Sequence, residues 1–222
     1  MSLARTASAQ INSLTAKIID IEIDISRGLN AFSIVGLAHK SVEEAKDRIS
    51  AAIKNAGFTS PKSKNQKIVI ALAPANLKKE GAGFDLAMAM GYLLASQEIR
   101  FDPKEKLFLG ELALDGNLRP MNGVFLMVQE AKRAGFKEIF LPEKNSLEAA
   151  LVEGVTIYGA TDIREVIAHL NTKNLTEISQ PISPKKINPT KINSTGQFEG
   201  STPEQKSSGA ISLDDVKGQI LA

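Results

Sequence analysis

The chain has 222 residues, of which 43% are hydrophobic, and it carries a formal net charge of +2 and no cysteine. This composition is typical of a globular protein with its own core, and it excludes disulfides and thiolate metal sites. The small positive net charge is compatible with a nucleic-acid partner but does not indicate one. No apolar run approaches the roughly 20 residues of a membrane span.

We therefore expect a cytoplasmic protein without a membrane partner. The chain has two histidines, His39 and His169, and neither lies at a spacing typical of metal ligands. We expect no metal site.

The first predicted elements are two strands and a helix. Residues 17–25 alternate isoleucine with polar residues, which indicates a half-buried strand, and residues 32–35 are expected to return antiparallel to it as a hairpin. A helix follows with Ser41 as its N-cap and Glu44 three residues later, the spacing of a capping box. Glu44 and Arg48 would form an exposed ion pair on this helix.

The remaining elements mix strands and helices. The apolar run at 67–73 predicts a strand covered on both faces, and 84–96 predicts a largely buried helix. Further strands are expected at 107–114, 138–141 and 155–158, and further helices at 124–134, 146–153 and 162–170. The mixture predicts an α/β (α+β) sandwich of two or three layers over residues 1–171.

The composition changes abruptly after residue 171. Ser, Thr, Asn, Lys, Gly and Pro make up most of residues 172–210. A segment with so few apolar residues cannot bury enough apolar surface to offset chain entropy, so we expect a flexible linker over 172–210. Ordered structure is expected to resume at 211–222. Four of the nine prolines fall in the linker: Pro181, Pro184, Pro189 and Pro203.

The segment 107–145 resembles one half of the active-site module of Lon-type ATP-dependent peptidases. That resemblance implies a serine nucleophile and a lysine that removes its proton. When the segments are aligned through 79–81 and 119–123, the serine position falls on Gly83 and the lysine position on Phe125. Neither side chain can transfer a proton, so we expect no catalytic residue at these two degenerate positions.

Four segments together resemble the ComM/YifB family of magnesium-chelatase-like AAA+ ATPases: 31–58, 68–96, 109–124 and 213–219. The resemblance implies a fold of the ribosomal protein S5 domain 2 type, as in Lon peptidase domains, placed before an ATPase module. It also implies a hexameric motor that uses ATP and Mg²⁺. The implied role is DNA processing in competence, by branch migration or helicase action during recombination of transforming DNA.

The phosphate-binding loop G-x-x-x-x-G-K-[ST] of such an ATPase occurs nowhere in the 222 residues. Residues 211–222 resemble the start of the ATPase module, and we expect the chain to be truncated within it. The alternative is that this tail is an independent terminal helix. We expect no cofactor bound by this chain itself, although ATP and Mg²⁺ are implied for the full-length family.

The candidate nucleic-acid contacts are five lysines, since lysine neutralises backbone phosphates: Lys62, Lys64, Lys67, Lys78 and Lys79. No aromatic residue is interleaved with them, so a solvated loop is the alternative interpretation.

The expected function is a non-catalytic N-terminal module whose partners are its own ATPase module, further copies of the chain and possibly DNA. Two alternatives stay open. One is a stand-alone pseudo-peptidase that acts as an interaction domain, and the other is an active Lon-like serine peptidase, which a serine-directed reagent would label.

Overall fold

The computed structural model describes residues 2–171 and 185–187 of the chain. Its strands are β1 Ser2–Asn12, β2 Thr15–Arg27, β3 Ala31–Val35, β4 Gln66–Ala73, β5 Lys106–Phe108, β6 Glu111–Leu112, β7 Leu118–Arg119, β8 Glu138–Pro142, β9 Thr156–Ala160 and β10 Lys185–Ile187. Its helices are α1 Lys40–Glu43, α2 Ala45–Asn55, α3 Asp85–Ala95, α4 Val124–Arg133, α5 Ser146–Ala149 and α6 Ile163–Leu170.

The first sheet has the order β1-β2-β4-β3. Strands β1 and β2 form a long antiparallel hairpin closed at Asn12 and Thr15, and the positive φ of 57° at Ser13 fits its two-residue turn. The predicted hairpin between β2 and β3 is wrong. Strand β2 pairs antiparallel with β4, and β3 lies on the far side of β4 and runs parallel to it.

The second sheet has the order β10-β9-β8-β5. Strands β5, β8 and β9 are parallel, and β10 is antiparallel to β9. A two-stranded ribbon of β6 and β7 stands apart from both sheets. The sheets and helices together give the mixed α/β architecture that the sequence predicts.

Two apolar clusters hold these elements together. One face of the first sheet carries Ile19, Ile21 and Ile23 in a cluster with residues of α2, α3 and α6. The opposite face of the hairpin, near its turn, packs through residues such as Ala16 against α4 and the second sheet. Both clusters are formed by residues with almost no solvent exposure, so their burial is the main stabilising contribution to the fold.

Strand β4 is covered on one face only. Its even-numbered residues are buried, whereas Val69, Ala71 and Ala73 are half-buried. The prediction that both faces are covered is therefore wrong. Helices α2 and α3 pack on one side of the sheet, and α4 on the other side joins the cluster of the β1–β2 hairpin.

The first helical segment also differs from the prediction. Helix α1 begins after His39, whose Nδ1 accepts the Ser41 N–H, and α2 begins separately after Glu44. Ser41 is therefore not the N-cap, and its hydroxyl accepts the N–H of Gly81 instead. The side chain of Arg48 bonds to Asp85 rather than to Glu44.

The later elements follow the predicted order with two differences. The single strand expected at 107–114 is instead two short strands, β5 and β6, in different sheets. Helix α5 is much shorter than the helix expected over 146–153. Strand β10 lies within the segment 172–210, for which we expected a linker. The other residues of that segment, and the predicted element at 211–222, lie outside the described residues. No helix in the described part of the chain is long and apolar enough to cross a membrane.

Candidate functional site

A cleft of about 870 Å³ opens beside the turn of the β1–β2 hairpin. One wall is the end of β1, residues 9–13, and another is the loop 77–84 that leads into α3. The third wall is the loop 120–123 together with the first turns of α4. The second and third walls belong to the segments on which the Lon resemblance rests, so the cleft lies where that resemblance implies an active site.

Gly83 lines the cleft, and a side chain at this position would meet the end of Met121. A Cβ atom added at Gly83 would lie 2.5 Å from Cε of Met121. Real Cβ atoms essentially never approach so closely, so the methionine would have to move to admit any side chain here. Met121 thus occupies the space of the missing nucleophile.

Phe125 lies on the first turn of α4 and does not line the cleft. Its side chain is partly buried against the cluster shared by α4 and the second sheet. Its backbone N–H donates to Oε1 of Glu148 at 2.9 Å, which satisfies one of the free amides at the start of the helix. The structure places an apolar side chain and a capped helix start at the position of the implied lysine.

The loop that carries Met121 is fixed by Asn145. The Met121 N–H donates to Oδ1 of Asn145 at 2.9 Å, and Nδ2 of Asn145 donates to the Met121 carbonyl at 2.8 Å. Asn145 is 6% exposed, so this pair of bonds is well shielded from water. Sequence reasoning missed Asn145, because nothing in its local pattern shows that it reaches 24 residues back along the chain.

Asp85 follows the cleft loop and faces the core. Its carboxylate accepts two bonds from Arg48, at 2.6 Å and 3.0 Å, and a third from the Leu112 N–H at 3.2 Å. The side chain is fully buried, and this desolvation raises its pKa to about 6 despite the opposing effect of Arg48. The strongest ion pair of the region therefore joins α2 to α3 and does not point into the cleft.

The structure separates the five candidate lysines into two groups. Lys62, Lys64 and Lys67 lie at the start of β4, whereas Lys78 and Lys79 follow its other end. At about 3.3 Å per residue, the strand separates the groups by roughly 20 Å.

Most of the exposed lysines already have acidic partners. Lys62 pairs with Asp47, and Lys64 with Glu98 at 3.1 Å. At the other end of β4, Lys78 pairs with Glu80 at 2.6 Å. All three pairs lie in contact with solvent, where such pairs are weak and readily exchanged.

The prediction that Lys79 contacts nucleic acid needs correction. Its side chain is 0% exposed, and its Nζ donates to the carbonyl of Pro74. Burial lowers the pKa of this amine, because the charged form loses its hydration. Lys79 fixes the loop between β4 and the cleft and cannot reach a phosphate from this position.

Among the described residues, no group of three or more His, Cys, Asp or Glu side chains is placed to hold a metal ion. The phosphate-binding loop G-x-x-x-x-G-K-[ST] does not occur in the 222 residues.

Comparison with known proteins identifies the family. The family described as subunit ChlI of Mg-chelatase matches residues 21–145. Competence protein ComM of Haemophilus influenzae is 34% identical over 99% of this chain and 40% of its own length. YifB of Salmonella typhimurium, described as uncharacterized, is 37% identical over 86% of this chain and 37% of its own length.

Lon protease of Flavobacterium johnsoniae is 28% identical over 70% of this chain and 20% of its own length. The chain spans no more than two fifths of the length of these relatives. Its similarity to ComM extends over almost every residue, and the ChlI match covers more than half of the chain. The chain belongs to the magnesium-chelatase-like family that includes ComM and YifB.

Proposed function

We propose that this chain is a non-catalytic N-terminal module of a magnesium-chelatase-like AAA+ ATPase of the ComM type. In this proposal the module contributes contacts to DNA and to neighbouring subunits of a motor that processes DNA, by branch migration or unwinding during recombination. ATP hydrolysis belongs to a separate ATPase module of the same hexameric protein. The fold is proposed to be of the ribosomal protein S5 domain 2 type.

The contact between Met121 and Gly83 is the main support for the proposal that the module is non-catalytic. A serine nucleophile needs a hydroxyl that faces the cleft, here at position 83, and a neutral amine within hydrogen-bond reach of it. The space beside Gly83 is instead filled by the methionine methyl group, and the implied amine position is Phe125. The chain retains the walls of the cleft, but the two positions at which the resemblance implies a nucleophile and its base hold a glycine and a phenylalanine.

The DNA contact is proposed for the loop 60–67. Lys62, Lys64 and Lys67 are exposed and adjacent, and the ion pairs of the first two involve side chains in contact with water. Because surface pairs contribute only about 0 to 1 kcal/mol, a phosphate can replace the carboxylate partner at little cost. ComM, which aligns with 99% of this chain, is named a competence protein, and this name supports a role in competence.

The test is DNA binding by the 222-residue chain, measured by fluorescence anisotropy on a labelled four-way junction and on single-stranded DNA. The variant carries Gln at positions 62, 64 and 67, because Gln removes the charge without repelling Asp47 or Glu98. We expect at least a tenfold loss of affinity and a shallower salt dependence, by about one unit of slope per lost phosphate contact. The matched control carries Gln at Lys132, Arg133 and Lys137, which lie on another exposed surface.

Two outcomes would contradict the proposal. If the control loses as much affinity as the variant, the contact is a general charge effect and not a property of the loop. Covalent labelling of the chain by a fluorophosphonate serine reagent would show an active nucleophile and remove the non-catalytic interpretation.

A further inference from the structure

The end of β1 presents unpaired main chain to the cleft. The two-residue turn makes Asn12 and Thr15 a hydrogen-bonded pair, and hydrogen-bonded pairs alternate with non-bonded ones along an antiparallel ladder. Gln10 therefore bonds to Lys17 of β2, whereas the N–H and C=O groups of Ile11 point away from β2.

These outward groups have no other backbone partner in the part of the chain that the structure describes. The hydrogen bonds outside the strand ladders include none from Ala9 or Ile11, although both residues line the cleft. Beside them, Nε2 of Gln10 donates to the Lys78 carbonyl while its Oε1 is buried without a donor. An edge strand with free donors and acceptors is a template for a further strand.

The opposite walls leave space for such a strand. The cleft has a volume of about 870 Å³, enough for a short extended segment. Gly83 and Gly123 add no side chains of their own to its walls, although Met121 lies against the first and Ile11 against the second. The rest of the lining includes Leu77, Met121 and Leu126, which offer an apolar surface to side chains of a bound segment. A cleft with both apolar and polar lining residues beside a free strand edge suits an extended main chain.

The charges at the cleft do not suit a nucleic acid. Lys78 is paired with Glu80 at 2.6 Å, and Glu111 with Arg119 at 2.9 Å. The lining residues include one cation, Lys78, and two carboxylates, Glu80 and Glu111, so their net charge is negative and disfavours phosphates. No aromatic ring among the lining residues other than the buried Phe84 is present to stack on a base.

We infer that this cleft binds an extended polypeptide, which adds to the edge of β1 through the main chain of Ala9 and Ile11 and is not cleaved. The inference rests on the proposed function in one respect, that the cleft performs no chemistry. The occupant is an unfolded or extended segment of another protein with apolar side chains, recognised mainly through its backbone.

The test uses the whole chain and a permanently unfolded polypeptide, reduced and carboxymethylated lactalbumin, as the probe. Amide hydrogen exchange followed by NMR reports single residues. We expect the bound probe to slow exchange of the Ile11 amide at least tenfold. The Gln10 amide, which already bonds to β2, should change much less.

Ile11→Pro removes the outward N–H and leaves the β2 ladder intact, because proline is tolerated where an edge strand's N–H faces outward. Ile11→Ala keeps the amide and loses the side chain, and it is the matched control. We expect affinity for the probe to fall about tenfold in the proline variant relative to the alanine variant, the loss expected for one hydrogen bond.

Unchanged exchange at Ile11 with the probe at its highest soluble concentration would overturn the inference, even if Ile11→Pro fails to fold. Protection of Ile11 by oligothymidylate instead of the polypeptide would also overturn it. A failure of DNA binding at Lys62, Lys64 and Lys67 would count against the proposed function alone, because those lysines lie roughly 20 Å away along β4.

Discussion

Gly83 and Asp85 are two residues apart, yet their surroundings are opposite. Gly83 faces an open cleft, where its neighbour is the flexible tip of Met121. Asp85 faces the core, where Arg48 and the Leu112 N–H satisfy its carboxylate. The polar interactions of Asp85 therefore hold α3 in place, whereas Gly83, which faces the cleft, carries no reactive group.

The largest expected effect tests the buried side of this comparison. Arg48→Met leaves the fully buried Asp85 carboxylate without its charge partner, and we expect the free energy of unfolding at neutral pH to fall by about 3 to 5 kcal/mol. Chemical denaturation measures the change. Glu22→Gln, which breaks the exposed pair with Arg5, is the control and should cost less than about 1 kcal/mol. Equal losses in the two variants would contradict the assigned role of Asp85.

A second effect concerns pH. Burial raises the pKa of Asp85 from 3.8 to about 6, so the native state keeps a proton that the unfolded state releases. This stabilising contribution is present in full below pH 3.8 and is lost as pH rises through about 6, with a total of about 3 kcal/mol. The ¹³C chemical shift of the carboxyl group, followed against pH, measures the pKa directly. A midpoint below 4 would show that Arg48 outweighs burial.

A smaller effect tests the cleft side. Gly83→Ser places a Cβ against Met121, and we expect a loss of about 1 to 2 kcal/mol in unfolding free energy. Adding Met121→Ala should remove part of that loss, so a double-mutant cycle should show coupling of about 1 kcal/mol. Strictly additive losses would mean that the methionine does not fill this space.

The smallest effect extends the comparison to the surface. Lys62→Gln breaks an exposed pair with Asp47, and the free energy of unfolding should change by less than about 0.5 kcal/mol. Thermal unfolding at low and high salt measures this. A loss above 2 kcal/mol would show that the loop is part of the stable core and is not available for exchange with phosphates.

The sequence predicts helices α3 and α4 and strands β2, β4 and β8, because the apolar residues of these elements follow a clear pattern. It does not reveal β1, whose segment is rich in alanine and serine and has little strand preference of its own. That strand forms because β2 pairs along its whole length and α3 covers one side, as in the bond from the Thr6 hydroxyl to the Ala87 carbonyl.

Part of the candidate site can also be predicted from the sequence, and part cannot. The positions Gly83 and Phe125 follow from aligned motifs, and only Gly83 lines the cleft. The contacts that define it, Met121 over Gly83 and Asn145 on the Met121 backbone, join residues 24 to 38 positions apart. No local pattern indicates such pairs. The burial of Lys79 also cannot be predicted from the sequence, because a lysine beside another lysine ordinarily indicates a solvated loop.

The position of Met121 has a consequence for how this cleft can change over time. A serine at position 83 would have a Cβ against Cε of Met121, so the methionine would have to adopt another rotamer before a hydroxyl could face the cleft. Because the loop of Met121 is fixed by Asn145, this movement is confined to the side chain. A serine nucleophile with a lysine base would therefore require coordinated changes at Gly83, Met121 and Phe125.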